Sequence, residues 1–219
     1  MKSVLLIGMG KFGLLLGENL LKMGDEVMIV DRDEDTINLL ASKYTGSLIG
    51  NCTNIDTLQS LDVPSFDVCV VAIGEDFQSS LEITANLKDL GAKYVVARAD
   101  TNIQRKFLLR VGADEVVYPN RDIAEKLAVK FNTEKAYDYF ELDSEYSIFE
   151  IAVPARWFQK SILQVNPRKH GLNVLTIKKG SKVLPPPGAD YVFCEGDHMV
   201  VFGNTEEIIK FANKHKSKR

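Results

Sequence analysis

The chain has 219 residues, 45% of them hydrophobic and 26% charged, with a formal net charge of −3. That length suits one large domain, or a domain plus a small one. The slight acidic surplus argues against a nucleic-acid binder, which carries a basic excess, and no apolar run approaches the ~18 residues of a membrane span.

Strand and helix signals alternate from the start. Ser3-Val4-Leu5-Leu6-Ile7 is an apolar run ending at glycine, and Phe12, Leu15, Leu16, Leu20 and Met23 then recur at helical spacing up to Gly24. Glu26 to Val30 reads as a second strand. Asp33 or Asp35 can cap the next helix, whose apolar face is Ile37, Leu40, Ala41 and Tyr44. Further strands are expected at Ser47-Leu48-Ile49, Asp67 to Ile73, Tyr94 to Ala97 and Glu115 to Tyr118, each followed by a helix. Apolar strands alternating with amphipathic helices imply a parallel sheet covered on both faces. The expected fold is therefore α/β: a Rossmann-type, doubly wound parallel sheet over residues 1–131.

The pattern then changes. Residues 132–144 are polar and aromatic and read as a linker. Over 145–219 the signals fit a small α+β domain with a mostly antiparallel sheet. Its strands are expected at Glu145 to Val153, Asn173 to Ile177 and His198 to Phe202. A short helix is expected at Ser161 to Val165, a turn at Pro185-Pro186-Pro187-Gly188, and a terminal helix at Glu206 to Lys214.

The main motif is Gly8-Met9-Gly10-Lys11-Phe12-Gly13, between the first strand and the first helix. Gly8 permits the tight turn, Gly10 lets backbone approach a pyrophosphate, and Gly13 lets helix and strand pack closely. The helix N-terminus offers N–H groups to phosphates. Asp31 lies 23 residues after Gly8 at the end of the second strand, where a carboxylate accepts ribose hydroxyls and repels a 2′-phosphate. Arg32 either meets a phosphate or adenine face or is a solvated surface residue. Asn51 and Cys52 follow the third strand, Ala72, Ile73 and Gly74 the fourth, and Arg98 ends the fifth. All sit where ligands bind in open α/β sheets. Asn51 is equally a common turn residue, and Arg98 equally a partner for Asp100 or Glu75.

A dehydrogenase is the first alternative such a loop suggests. It needs a substrate domain with a positioned acid, base or lysine. The second half carries His170 and His198 with no recognisable catalytic context, and no Tyr-x-x-x-Lys or His–carboxylate pair is legible. Cys52, Cys69 and Cys194 share no close spacing and read as reduced thiols. With no signal-peptide pattern at the start, the expectation is a cytosolic protein that is not an enzyme and holds no metal.

The whole chain resembles RCK-type proteins (regulators of potassium conductance), most of all the cytosolic subunits of Ktr and Trk potassium uptake systems. In the first domain the likeness rests on residues 7–13, Val30-Asp31, residues 70–74 and Gly112-Ala113-Asp114-Glu115-Val116-Val117-Tyr118-Pro119. In the second it rests on Glu145 to Ile148, Lys160 to Leu163, Gly171 to Ile177 and Gly196 to Gly203. The resemblance implies an RCK-N, or TrkA-N-like, domain followed by an RCK-C, or TrkA-C-like, domain. It implies ATP, ADP or NAD(H) as a regulatory ligand and a dimer that builds an octameric ring. The expected partner is a membrane-embedded potassium translocator, met at the cytosolic face of the membrane.

The resemblance also implies a cyclic di-AMP site shared by two protomers, matched here by Ile162, Leu163, Arg168, Leu172, Pro185 and Pro186. Lys11 stands where ATP-responsive relatives have Arg, which supplies a fork that Lys lacks. A weaker preference for ATP over ADP is therefore expected. Asn120 replaces a cation-binding Glu of related subunits; an amide is a weaker ligand for a hard cation, and Asn120 reads equally as a helix cap. The basic end, with Lys210, Lys214, Lys216, Lys218 and Arg219, suits the C-terminus of a helix.

Overall fold

The first strands are apolar without alternation because both of their faces are covered. In the computed structural model, which describes residues 1–132 and 136–214, β1 (Ser3–Ile7) sends Leu5 and Ile7 into one core and Val4 and Leu6 into another. The chain continues through α1 (Lys11–Lys22), β2 (Glu26–Asp31), α2 (Glu34–Leu40), β3 (Gly46–Ile49), α3 (Ile55–Gln59), β4 (Val68–Val71) and α4 (Phe77–Asp89). Then come β5 (Val95–Arg98), α5 (Asn102–Arg110), β6 (Glu115–Val117) and α6 (Pro119–Asn132). All six strands are parallel, in the order β3-β2-β1-β4-β5-β6. The order reverses between β1 and β4, which opens a crevice at their carboxyl ends.

Local chemistry sets the helix starts. Asp33 caps α2 by accepting from the Asp35 N–H at 3.1 Å. Asp76 caps α4 through the Ser79 N–H at 3.0 Å, and Thr101 and Gln104 form a reciprocal capping box on α5. Asn120 is not a cap: α6 begins at Pro119, a position proline favours, so Asn120 lies in the first turn.

The chain divides into two compact units, Met1–Arg121 and Asp122–Arg219. The division falls within α6, whose Val129 packs against the core of the second unit.

The second unit contains β7 (Ala136–Glu141), β8 (Tyr146–Ala152), α7 (Ile162–Val165), β9 (Asn173–Lys179), β10 (Lys182–Val183), β11 (Asp197–Asn204) and α8 (Thr205–Lys214). Its sheet runs β10-β9-β11-β8-β7 and is antiparallel throughout. One face buries Phe149, Ile151, Ile177, Met199 and Val201 with Ile208 and Phe211 of α8. Trp157 stands between the rings of Phe193 and Phe211, at 5.8 and 5.3 Å.

One reading needs correction here. Residues 132–144 read as linker, yet Ala136–Glu141 pair with β8. Tyr139 sits opposite Phe149 with ring centroids 4.8 Å apart, and that cross-strand aromatic contact recruits the segment to the sheet. Residues 133–135 of that reading lie outside the described residues, as do His215, Lys216, Lys218 and Arg219. Among the described residues, no helix is long and apolar enough to cross a membrane.

Candidate functional site

The glycine turn is built as close packing requires. Gly8 takes φ +94° and donates its N–H to the Val30 carbonyl at 2.9 Å. A Cβ on Gly13 would stand 2.1 Å from the Gly8 carbonyl oxygen, so α1 crosses the end of β1 with room for no side chain. At Gly10, which caps α1, a Cβ would meet nothing within 4 Å. The first N–H groups of α1 have no acceptor within the helix, and the space beside Gly10 is open.

Asp31 latches this loop. Its Oδ2 accepts the Met9 N–H at 2.6 Å and its Oδ1 accepts the Asp33 N–H at 3.0 Å. Each oxygen keeps a lone pair for a further donor such as a ribose hydroxyl. Lys11 and Arg32 are exposed, while Met9 buries its side chain. The Asp76 carboxyl is held below the usual range by the Ser79 hydroxyl and N–H, aided by the Arg32 charge.

The other residues gather along the carboxyl edge in unequal states. Asn51 uses its Oδ1 to accept the Thr53 N–H at 3.1 Å, making a turn. Cys52 needs correction as a side-chain contact: it is a core residue, and burial, with the Asp31 charge beside it, pushes its thiol up to about 12. Only its backbone can face a ligand. Ala72 is also buried, and its N–H donates to the Ile7 carbonyl at 2.8 Å. Ile73 packs over Gly8, its Cγ1 being 3.0 Å from where a Gly8 Cβ would stand. Arg98 pairs with Asp100 at 3.0 Å and lies against Gly74.

In the second unit a cavity of about 370 Å³ is lined by Ile162, Leu163, Arg168 and Leu172, all singled out from sequence. Pro185 and Pro186, singled out with them, do not line it; Pro187 and Ala189 do. The loop is tied to α7 beyond the first two prolines, by the Leu163 N–H to the Ala189 carbonyl at 2.8 Å and the Ile162 N–H to the Tyr191 carbonyl at 3.0 Å. Those bonds bring the third proline to the wall.

A histidine–carboxylate pair that sequence reading missed lies on the same sheet. Glu150 accepts from Lys178 Nζ at 2.6 Å and pairs with His198 Nδ1 at 2.8 Å. Burial pushes the Glu150 carboxyl up, but hydrogen bonds and charge from Lys178 and His198 outweigh it and the net shift is downward. The three residues come from β8, β9 and β11, and only the strand register joins them. The available signal was a polar residue in each of three apolar strands.

Because the Glu150 carboxyl is held below its ordinary value of 4.5, its stabilising contribution is present above that value. It is lost as pH falls through the folded value. Glu150→Gln should destabilise the second unit by about 1–3 kcal/mol at pH 7, since Lys178 and His198 lose a charged acceptor. The deficit should begin to shrink as pH drops below about 4.5, where the unfolded chain takes up the proton, and close once folded Glu150 is protonated as well. Urea unfolding of both proteins at pH 7 and pH 4 measures this, and a constant gap between them would contradict it.

A parallel sheet reversed between β1 and β4, with a glycine turn latched by an acidic β2 terminus, defines a Rossmann-type module, here followed by a small α+β domain. The TrkA-N domain family matches residues 4–119 and the TrkA-C domain family residues 146–216. The chain belongs to the TrkA-N/TrkA-C family of Ktr-type proteins. It is 35% identical over 214 residues to Ktr system potassium uptake protein C of Bacillus subtilis (strain 168), covering 97% of each chain. It is 33% identical over 214 residues to Ktr system potassium uptake protein A of the same organism, covering 97% of this chain and 96% of that one. The GsuK channel bound to NAD shares the fold with a TM-score of 0.68 at 14% identity. That match covers all of this chain but only 40% of the GsuK chain.

Proposed function

We propose that this chain is a nucleotide-gated regulatory subunit of a potassium uptake system, and that it catalyses no reaction of its own. The observation that carries the reading is the glycine turn: open at Gly10, closed to any side chain at Gly13, and latched to Asp31. Residues Gly8 to Gly13, Asp31, Arg32, Asn51, Cys52 (through its backbone), Ala72, Ile73, Gly74 and Arg98 form the ligand site. ATP, ADP or NAD(H) is the ligand, with its phosphates at the start of α1 and a ribose on Asp31. The Ktr relatives are named as potassium uptake proteins, and the GsuK neighbour is described as bound to NAD.

The regulated partner is a membrane-embedded potassium translocator, met from the cytosolic side by a ring of dimers. The two units divide the work: residues 1–121 bind the nucleotide, and residues 122–219, which include the strand at 136–141, dimerise and regulate. Gating follows from differential affinity, because a ligand shifts the ring's balance only as far as it prefers one state. The cavity beside α7 takes a second ligand, cyclic di-AMP, between two protomers. Its volume is within the ~300–1,000 Å³ typical of small-molecule sites.

Isothermal titration with ATP, ADP, NADH, NADPH and cyclic di-AMP tests the reading. Asp31→Ala should weaken adenine-nucleotide binding by about 1–3 kcal/mol, since it removes the ribose acceptor and leaves the Met9 N–H without its partner. Unchanged affinity in that variant, or steady NADH turnover with a small-molecule substrate, would overturn it.

A further inference from the structure

A doubly wound sheet takes a dinucleotide across the reversal in strand order, with one mononucleotide half on each side. In this chain the β4–β5 side of the crevice is already furnished. The Arg98 guanidinium lies flat against Gly74: a Cβ there would stand 2.6 Å from Cζ, 2.7 Å from Nη1 and 2.9 Å from Nη2. Its Cζ is 5.9 Å from the centroid of the Phe12 ring, in the first turn of α1. The group therefore reaches from the end of β4 toward the glycine turn.

Nη2 is held by Asp100 Oδ1 at 3.0 Å. Asp100 is fixed in turn, its N–H donating to Gln104 Oε1 at 2.8 Å and its carbonyl accepting from the Tyr118 hydroxyl. The Nε of Arg98 is buried and has no hydrogen-bond partner among the described residues. Nη1 makes no hydrogen bond to a described residue, so the guanidinium, pre-set by one carboxylate at Nη2, keeps a terminal donor for an oxyanion.

We propose that Arg98 is a specificity-determining residue, which reserves the second half of the crevice for the phosphates of an adenosine polyphosphate against the nicotinamide riboside of NAD(H). The inference rests on the nucleotide reading above and narrows its ligand class. A γ-phosphate, which NAD(H) lacks, supplies anionic oxygens to the guanidinium where it already lies. A nicotinamide riboside carries no anionic oxygen for the fork, and it must displace the guanidinium from Gly74 to occupy the same space. Gly74 serves the arrangement by leaving room for the guanidinium plane.

Titration calorimetry of the full chain with AMP, ATP and NADH is the test, in wild type, Arg98→Ala and Gly74→Ala. Wild type should bind ATP more tightly than NADH. Arg98→Ala should cut that preference by about tenfold or more, the effect of one charge-assisted hydrogen bond. Gly74 has no positive φ, so alanine fits its backbone. Its methyl lifts the guanidinium away while keeping the charge, and the preference should shift in the same direction. A wild type that prefers NADH, or a preference unmoved in both variants, overturns the proposal. AMP binding by wild type would leave the nucleotide reading standing in that event. Failure to bind any of the three overturns that reading and this one with it.

Discussion

Replacing Gly13 by alanine should destabilise the N-terminal unit by about 2–4 kcal/mol, an overpacking cost at the upper end because backbone meets backbone. The new methyl would stand 2.1 Å from the Gly8 carbonyl oxygen and 3.2 Å from its carbon. Neither can swing aside, since Gly8 is pinned by its bond to the Val30 carbonyl at 2.9 Å. Relief requires α1 to back away from β1, which would loosen Leu6, Leu16 and Leu20 in their shared core. Gly10→Ala is the contrast, because its methyl meets nothing within 4 Å. It should move stability by no more than about 0.5 kcal/mol, because its methyl enters open space. Urea unfolding separates the two variants. Equal midpoints for wild type and Gly13→Ala would contradict the close-packing account of the motif.

Arg168→Ala should abolish binding of cyclic di-AMP at micromolar concentrations. Arg168 follows Pro167 in a tight turn beside α7 and lines the cavity with Ile162, Leu163 and Leu172. A two-fold ligand on a two-fold interface meets each residue twice, so one substitution removes two contacts. With each charge-assisted bond contributing roughly 1.5–3 kcal/mol, the loss should be about 3–6 kcal/mol. Adenine-nucleotide affinity, measured in the same samples, should change far less, because Arg168 belongs to the other unit. If wild type fails to bind cyclic di-AMP at tens of micromolar, which is about 6–7 kcal/mol of affinity, the cavity has a different occupant.

The parallel half of the fold was legible because its physics is local. Strands β1, β2 and β4 are buried on both faces and read as unbroken apolar runs. The glycine turn and Asp31 stand at spacings that the chain's own geometry imposes. Strand β7 was obscured because its partner contact, Tyr139 on Phe149, crosses ten positions of sequence, and Asp138 interrupts the apolar pattern. Glu150, Lys178 and His198 were invisible as a group, because antiparallel register assembles them from three strands. Cys52 shows another limit. Sequence placed it correctly at a strand's carboxyl end, but which way its side chain turns depends on the core beneath it. Among the prolines at 185–187, only the tie between Leu163 and Ala189 selects the one that faces the cavity.

The ends of the antiparallel sheet bear on which contacts between copies of this chain are open to it. On one side β10 is two residues long and includes Lys182. On the other, β7 carries exposed Asp138 and Glu141, and its pairing with β8 slips between Ala136 and Asp138. A stub bearing a lysine and an irregular acidic margin are both poor templates for another strand. Open strand margins invite unplanned pairing between copies, and such pairing runs on into fibres when it is head-to-tail and does not close. Margins of this kind leave helices and sheet faces, rather than strand edges, as the surfaces through which copies of the chain can meet.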